Sequence, residues 1–121
     1  MSTGVGIDVI EIARVERALE RHPRLAERVF SAAERGYARQ RQRPGRHFAA
    51  RFAAKEAAVK ALGAGPLGLG DVEVLAGAPP RLRLAGRAAE AAQARGVELE
   101  LSISHSREMA VAVVLATARP G

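Results

Sequence analysis

Cysteine is absent from the 121 residues. Its absence excludes a disulfide framework, a thiolate zinc site and a thiol nucleophile together. Tryptophan is also absent, and the aromatic side chains are only Phe30, Tyr37, Phe48 and Phe52. So few rings leave little for the base-stacking platforms of single-strand or RNA-recognition modules. No apolar run reaches the roughly 18 residues of a membrane span, and the N-terminus lacks the basic-then-apolar layout of a signal peptide. A cytoplasmic protein with no membrane partner is therefore expected. With no internal repeat, low-complexity tract or linker in view, residues 1–121 read as a single domain.

What is present is a globular balance, with 48% hydrophobic and 26% charged residues. A domain of this size buries about two-thirds of the surface its unfolded chain exposes, so a cleft is expected to need a neighbouring subunit. The net charge of +6 calls for an anionic partner. Nucleic acid is one candidate; phosphates on a small molecule, or an acidic protein, are others.

Val5 to Ile10 read as a buried strand interrupted by Asp8. A helical pattern starts at Glu11, with Ile12, Val15 and Leu19 on one side and Arg14, Arg17 and Arg21 on another. His22-Pro23 ends it, because proline disfavours helical geometry in the residue before it. Ser31 and Glu34 have capping-box spacing, which predicts a helix from Ala32 to about Arg41. Pro44-Gly45 reads as a turn, followed by the longest helix, residues 47–62, closed by Gly63. Residues 71–75 and 81–85 alternate as strands, residues 87–95 form a helix ended by Gly96, and residues 97–104 and 109–116 form a hairpin. The predicted class is α+β, a small antiparallel sheet packed on a long central helix.

The chain has 19 Lys+Arg residues, of which only Lys55 and Lys60 are lysines, both inside the predicted long helix. An ammonium is a compact point charge suited to a phosphate oxygen, whereas a guanidinium is a planar fork. The competing reading is ordinary pairing of Glu56 with Lys60 one helical turn apart. Asp8 lies among apolar neighbours, and Glu56 at the edge of an apolar stripe. Two such carboxylates beside a lysine suit Mg²⁺, which takes one or two protein carboxylates and completes its shell with water and phosphate. Asp8 has a second reading, as a cap for the helix that follows. His105, in Ser102-Ile-Ser-His-Ser106, is either an exposed turn residue or a donor to a phosphate. His22 and His47 read as surface residues. The glycines from Gly63 to Gly70 do not form a P-loop, because the helix precedes them; they read as a plain loop or a mobile lip.

Three segments in register carry a resemblance: Gly4 to Ile12 with Arg14, Arg51 to Gly63, and Ser102 to Ser106. Together they resemble the holo-[acyl-carrier-protein] synthases, the short 4′-phosphopantetheinyl transferases, over nearly the whole chain. Two small departures are the missing aromatic before Asp71 and Val59 ahead of Lys60. The resemblance implies transfer of the phosphopantetheine arm of coenzyme A to a serine of apo acyl carrier protein, with release of adenosine 3′,5′-bisphosphate. It further implies Asp8 and Glu56 as Mg²⁺ ligands, Glu56 and Lys60 as catalytic groups, and Arg51, Lys60 and His105 on coenzyme A phosphates. Either Glu56 or a metal-bound water would take the serine proton. Arg14, Arg17 and Arg21 would steer the acidic carrier protein. A homotrimer with active sites between subunits is implied as well. The rival from charge alone is a small basic nucleic-acid-binding oligomer without catalysis.

Overall fold

Period-two alternation in the first segment builds β1 (Gly4–Glu11), which runs directly into α1 (Ile12–Arg21). The computed structural model describes residues 3–120. Two short helices follow, α2 (Leu25–Val29) and α3 (Ala32–Arg39), then the long α4 (Pro44–Leu62). A 3-10 turn (Leu69–Asp71) leads to β2 (Val72–Leu75) and β3 (Arg81–Leu84), and α5 (Gly86–Arg95) precedes β4 (Val97–His105) and β5 (Met109–Ala118). The main sheet is antiparallel in the order β1-β5-β4; β2 and β3 form a separate hairpin. The expected terminal hairpin is there, with Ser104 opposite Val111 and Val97 opposite Ala118.

Helix α4 is the axle. Ala49, Ala50, Ala53, Ala54, Ala57, Ala58 and Ala61 are all buried, at 0 to 2% exposure. Alanine combines the best helix propensity with the smallest side chain above glycine, so neighbours can pack closely on several sides at once. One core, on the sheet and α5 side, gathers Leu62, Val72, Val97 and Val114 around it; the other, beneath α1 to α3, gathers Ile12, Phe30 and Phe48. The Phe30 and Phe48 rings meet at 4.9 Å in a tilted contact, a geometry that adds to their burial.

Caps explain several helix ends. Ser31 and Glu34 form the expected capping box on α3, and Gly63 closes α4 with a left-handed φ of 63°. The start of α4 corrects the sequence reading: Pro44 is its first residue and not part of a turn, because proline is pre-set for the first helical position. Arg43 supplies the reversal instead, at φ 52°, with its guanidinium donating to Arg107 O. The burial of β1 is corrected too. Val5, Ile7 and Val9 are 64, 54 and 56% exposed, so one face of the strand is covered and not two. Asp8 therefore sits on the inner face with Gly4, Gly6 and Ile10 and not among those valines and Ile7.

Candidate functional site

Glycine places the acidic pair. A Cβ on Gly4 would lie 2.4 Å from Ala61 O, and one on Gly6 only 1.9 Å from Ala57 O. No other residue permits that approach, so β1 lies against the α4 backbone, and moving up the strand moves down the helix. Asp8, next on the same face, thereby reaches the turn of α4 that bears Glu56 and Lys60. Asp8 and Glu56 line one cavity of about 500 Å³, together with Arg14, Leu19, Phe30 and Phe52. Both carboxylates are half-buried. Lys60 is at its edge, donating to Ile7 O at 2.9 Å and to Asp8 Oδ1 at 3.3 Å. The capping reading of Asp8 gives way to this contact; Glu11 is the α1 N-cap residue and makes no side-chain cap bond. The i,i+4 reading of Lys60 gives way likewise, since its ammonium turns to β1.

A divalent cation fits this donor set. No cluster of three or more His, Cys, Asp or Glu groups able to hold a metal occurs among the described residues, so a closed protein cage is not what is on offer. Two carboxylates opening on a cavity suit a hard ion that keeps water and phosphate in its shell.

Arg51 and His105 do not join that cavity. They line a separate one of about 390 Å³ with Tyr37, His47, Ser104 and Gly77. The two cavities lie on different faces of α4, one reached by Phe52 and Glu56 and the other by His47, Ala50 and Arg51. Arg51 is 5% exposed, yet its Nε has no hydrogen-bond partner. Its guanidinium carbon is 3.8 Å from the Tyr37 ring centre, and that of Arg41 is 3.4 Å away. Burial pulls Arg51 below its ordinary value, with Tyr37 opposing. His47 is no plain surface residue: its ring meets Tyr37 at 5.6 Å and His105 at 5.9 Å, both edge-on. The four-residue spacing of His47 and Arg51 on one helix was the signal in the sequence. His22 is exposed, as read.

Lys55, alike with Lys60 in sequence, has a different role. It is 1% exposed and bonded to Glu34 at 2.8 Å, with further bonds to Val72 O and to Leu69 O. Glu34 also accepts from Ser31 N and Val74 N, both at 2.8 Å. The pair ties α3, α4 and β2 together. Burial lowers the Lys55 pKa, and Glu34 opposes that shift. Of the basic α1 residues, Arg14 reaches the acidic cavity, Arg21 lines a surface hollow with Arg24 and Arg28, and Arg17 is exposed.

Comparison with known proteins returns a consistent pattern. Residues 4–114 match the 4′-phosphopantetheinyl transferase superfamily. A holo-[acyl-carrier-protein] synthase of Moorella thermoacetica is 50% identical over 118 residues, covering 91% of this chain and 90% of its own. Among solved structures, an ACPS–CoA complex from Chronobacterium ammoniagenes superposes with a TM-score of 0.84 at 33% identity, covering 99% of this chain and 100% of the other. A Helicobacter pylori holo-[acyl-carrier-protein] synthase in complex with coenzyme A gives 0.80 at 30% identity, covering 93% and 99%.

Proposed function

The chain belongs to the 4′-phosphopantetheinyl transferase superfamily, among its holo-[acyl-carrier-protein] synthases, and from that premise we propose how its residues divide the work. The enzyme transfers the 4′-phosphopantetheine arm of coenzyme A to a serine of apo acyl carrier protein. The serine oxygen forms a bond to the pantetheine-bearing phosphorus. The bridging pyrophosphate bond breaks, and adenosine 3′,5′-bisphosphate leaves with its electron pair. Such a reaction asks the protein chiefly for alignment and for neutralisation of charge.

The observation that carries this assignment of roles is the meeting of Asp8 and Glu56 in one cavity, with Lys60 bonded to Asp8. Asp8 and Glu56 would hold Mg²⁺, which when bound supplies positive charge to the pyrophosphate oxygens. Lys60 orients Asp8 through one donor and the strand through another, and its remaining donor is directed to a phosphate. Glu56 is half-buried beside Phe52 and in this reading would be the carboxylate that accepts the serine proton. The apolar wall of Leu19, Phe30 and Phe52 keeps water from the diphosphate. Arg14, Arg17 and Arg21 would steer an acidic carrier protein, working mainly on association rate.

Arg51 and His105 complete the site from another subunit in this reading, because in one chain they open into a different cavity from Asp8 and Glu56. A homotrimer is supported further by the outer sheet face. There Val5 lies opposite Leu115, Ile7 opposite Val113 and Glu11 opposite Met109, with the apolar members 37 to 64% exposed. A contiguous apolar face of that kind marks an association surface. Sedimentation is expected to give three times the 12.8 kDa chain mass; a fully active monomer would contradict it. No helix among the described residues is long and apolar enough to cross a membrane.

The direct test is mass spectrometry of an apo carrier protein incubated with coenzyme A and Mg²⁺. A phosphopantetheine-sized gain is expected with the parent and a loss of it with Glu56→Gln. Undiminished transfer by the variant would remove the metal role of Glu56; no transfer by the parent would remove the function.

A further inference from the structure

The cavity of Arg51 and His105 is more than a place for two cations. We propose that His47 is a specificity-determining residue: it takes up a proton when a phosphate monoester enters this cavity, so that coenzyme A is selected over its analogue lacking the 3′-phosphate. The inference rests on the reading of this cavity as the seat of the nucleotide end of coenzyme A.

Three observations carry it. First, the cavity is built for an anion. No acidic residue lines it, and Arg51, nineteen-twentieths buried, keeps an unpartnered Nε. A buried donor without an acceptor is costly, and an oxyanion that reached it would remove that cost. Second, His47 lies between Tyr37 and His105 with both rings edge-on, so its imidazole is held where the same ligand would meet it. Third, every charged group facing His47 is cationic when charged. Arg41 comes from the connection after α3, Arg46 and Arg51 come from α4 itself, and His105 comes from β4, while the Tyr37 phenol of α3 is neutral near neutral pH.

The direction of coupling follows. Burial first, then Arg46, Arg51, His105 and Arg41, hold His47 below the ordinary histidine value of 6.5. Near neutral pH the empty cavity therefore keeps it uncharged. A doubly negative group offsets the arginines and favours imidazolium, which then donates to the oxygen it faces. By linkage, a ligand that raises the affinity for a proton is itself bound more tightly as protons become available. A ligand without the monoester has no such charge to offer.

Titration calorimetry of the full chain near neutral pH, in two buffers of different ionisation enthalpy, reads the proton count. The ligands are coenzyme A and dephospho-coenzyme A, each with Mg²⁺. The parent is expected to take up protons with coenzyme A and none with the dephospho form, a contrast that needs no variant. His47→Gln should abolish the uptake and weaken coenzyme A by about tenfold, the scale of one charge-assisted hydrogen bond, while leaving dephospho-coenzyme A unchanged. His105→Gln should retain an uptake. Persistence of the full uptake in His47→Gln, or equal weakening of both ligands, overturns the assignment to His47 while transfer activity stands. Failure of the folded parent to bind coenzyme A overturns the function and this inference with it.

Discussion

Lys55 and Lys60 are the only lysines in the chain, sit five residues apart on one helix, and end in opposite situations. Lys55 is 1% exposed and donates to Glu34, Val72 O and Leu69 O, so all three of its donors are engaged inside the protein. The Lys60 side chain is 54% exposed and uses two donors, on Ile7 O and Asp8, leaving one for a ligand. Five residues turn a helix through about 140° beyond one full turn. That rotation takes the ammonium from the seam between α3 and β2 to the edge of the acidic cavity. The same residue type thus serves the fold at one position and, in the proposed reading, the chemistry at the other, and the count of unsatisfied donors distinguishes the two.

The largest effect expected from breaking this contrast comes from the buried partner. Glu34→Ala leaves the Lys55 charge without its counter-ion and strips Ser31 N and Val74 N of their acceptor. Urea unfolding should show a loss of about 3–5 kcal/mol, the usual cost of breaking a buried pair. Glu34→Leu together with Lys55→Met should recover the part due to the unpaired charge, because the desolvation penalty of both charges disappears, while Ser31 N and Val74 N stay without their acceptor. A loss from Glu34→Ala within about 1 kcal/mol would make the buried pair no different from an exposed one.

Lys60→Ala should do the reverse. Its ion pair is largely exposed, so unfolding free energy should change by no more than about 1 kcal/mol. Turnover should fall by about 10²–10³-fold, the range seen when one preorganised charge-stabilising donor is lost. Lys60→Arg should not restore it, since a planar fork cannot reproduce a point donor shared between Asp8 and a phosphate. Steady-state kinetics beside a thermal melt separate these outcomes; parallel losses of stability and turnover would erase the distinction between the two lysines.

A smaller effect tests what brings Lys60 to Asp8. In Gly6→Ala the new methyl would meet Ala57 O, a backbone atom that cannot swing aside. Forcing β1 off α4 should cost about 1–3 kcal/mol, as overpacking does. Turnover should drop by more than that loss of stability explains, because Asp8 moves with the strand. Gly36→Ala, where an added Cβ meets nothing within 4 Å, is the control.

Much of this was legible in the sequence. Capping-box spacing located α3, Gly63 located the end of α4, and alternation located β4 and β5 together with their pairing. Asp8 and Glu56 could be singled out because charged residues in apolar company need partners, and Lys60 because it is one of only two lysines. What could not be read were the partners themselves. Glu34 reads fully as a capping-box residue, and nothing local shows that its second oxygen serves β2 forty residues away. The alternation of Val5, Ile7 and Val9 reads as core because exposed apolar residues on a strand carry the same sequence pattern as buried ones. His47 reads as a surface residue in the sequence because its neighbours in space, Tyr37 and His105, come from other elements.

The smallest expected effect sharpens the contrast through pH. Burial lowers the Lys55 pKa below 10.5, with Glu34 pulling the other way. Between that lowered value and 10.5 the unfolded chain holds the proton and the folded one has released it. Unfolding free energy therefore rises with pH through this window. Below the window both states are protonated, and Lys55 imposes a constant penalty. The difference in unfolding free energy between the parent and the Glu34→Leu, Lys55→Met double variant should accordingly shift in the parent's favour as pH climbs towards 10.5. Other groups that titrate there cancel in the difference, being present in both proteins. A difference that stays level across the alkaline range would mean that Lys55 is as well solvated as Lys60, and the division of labour along α4 would fail.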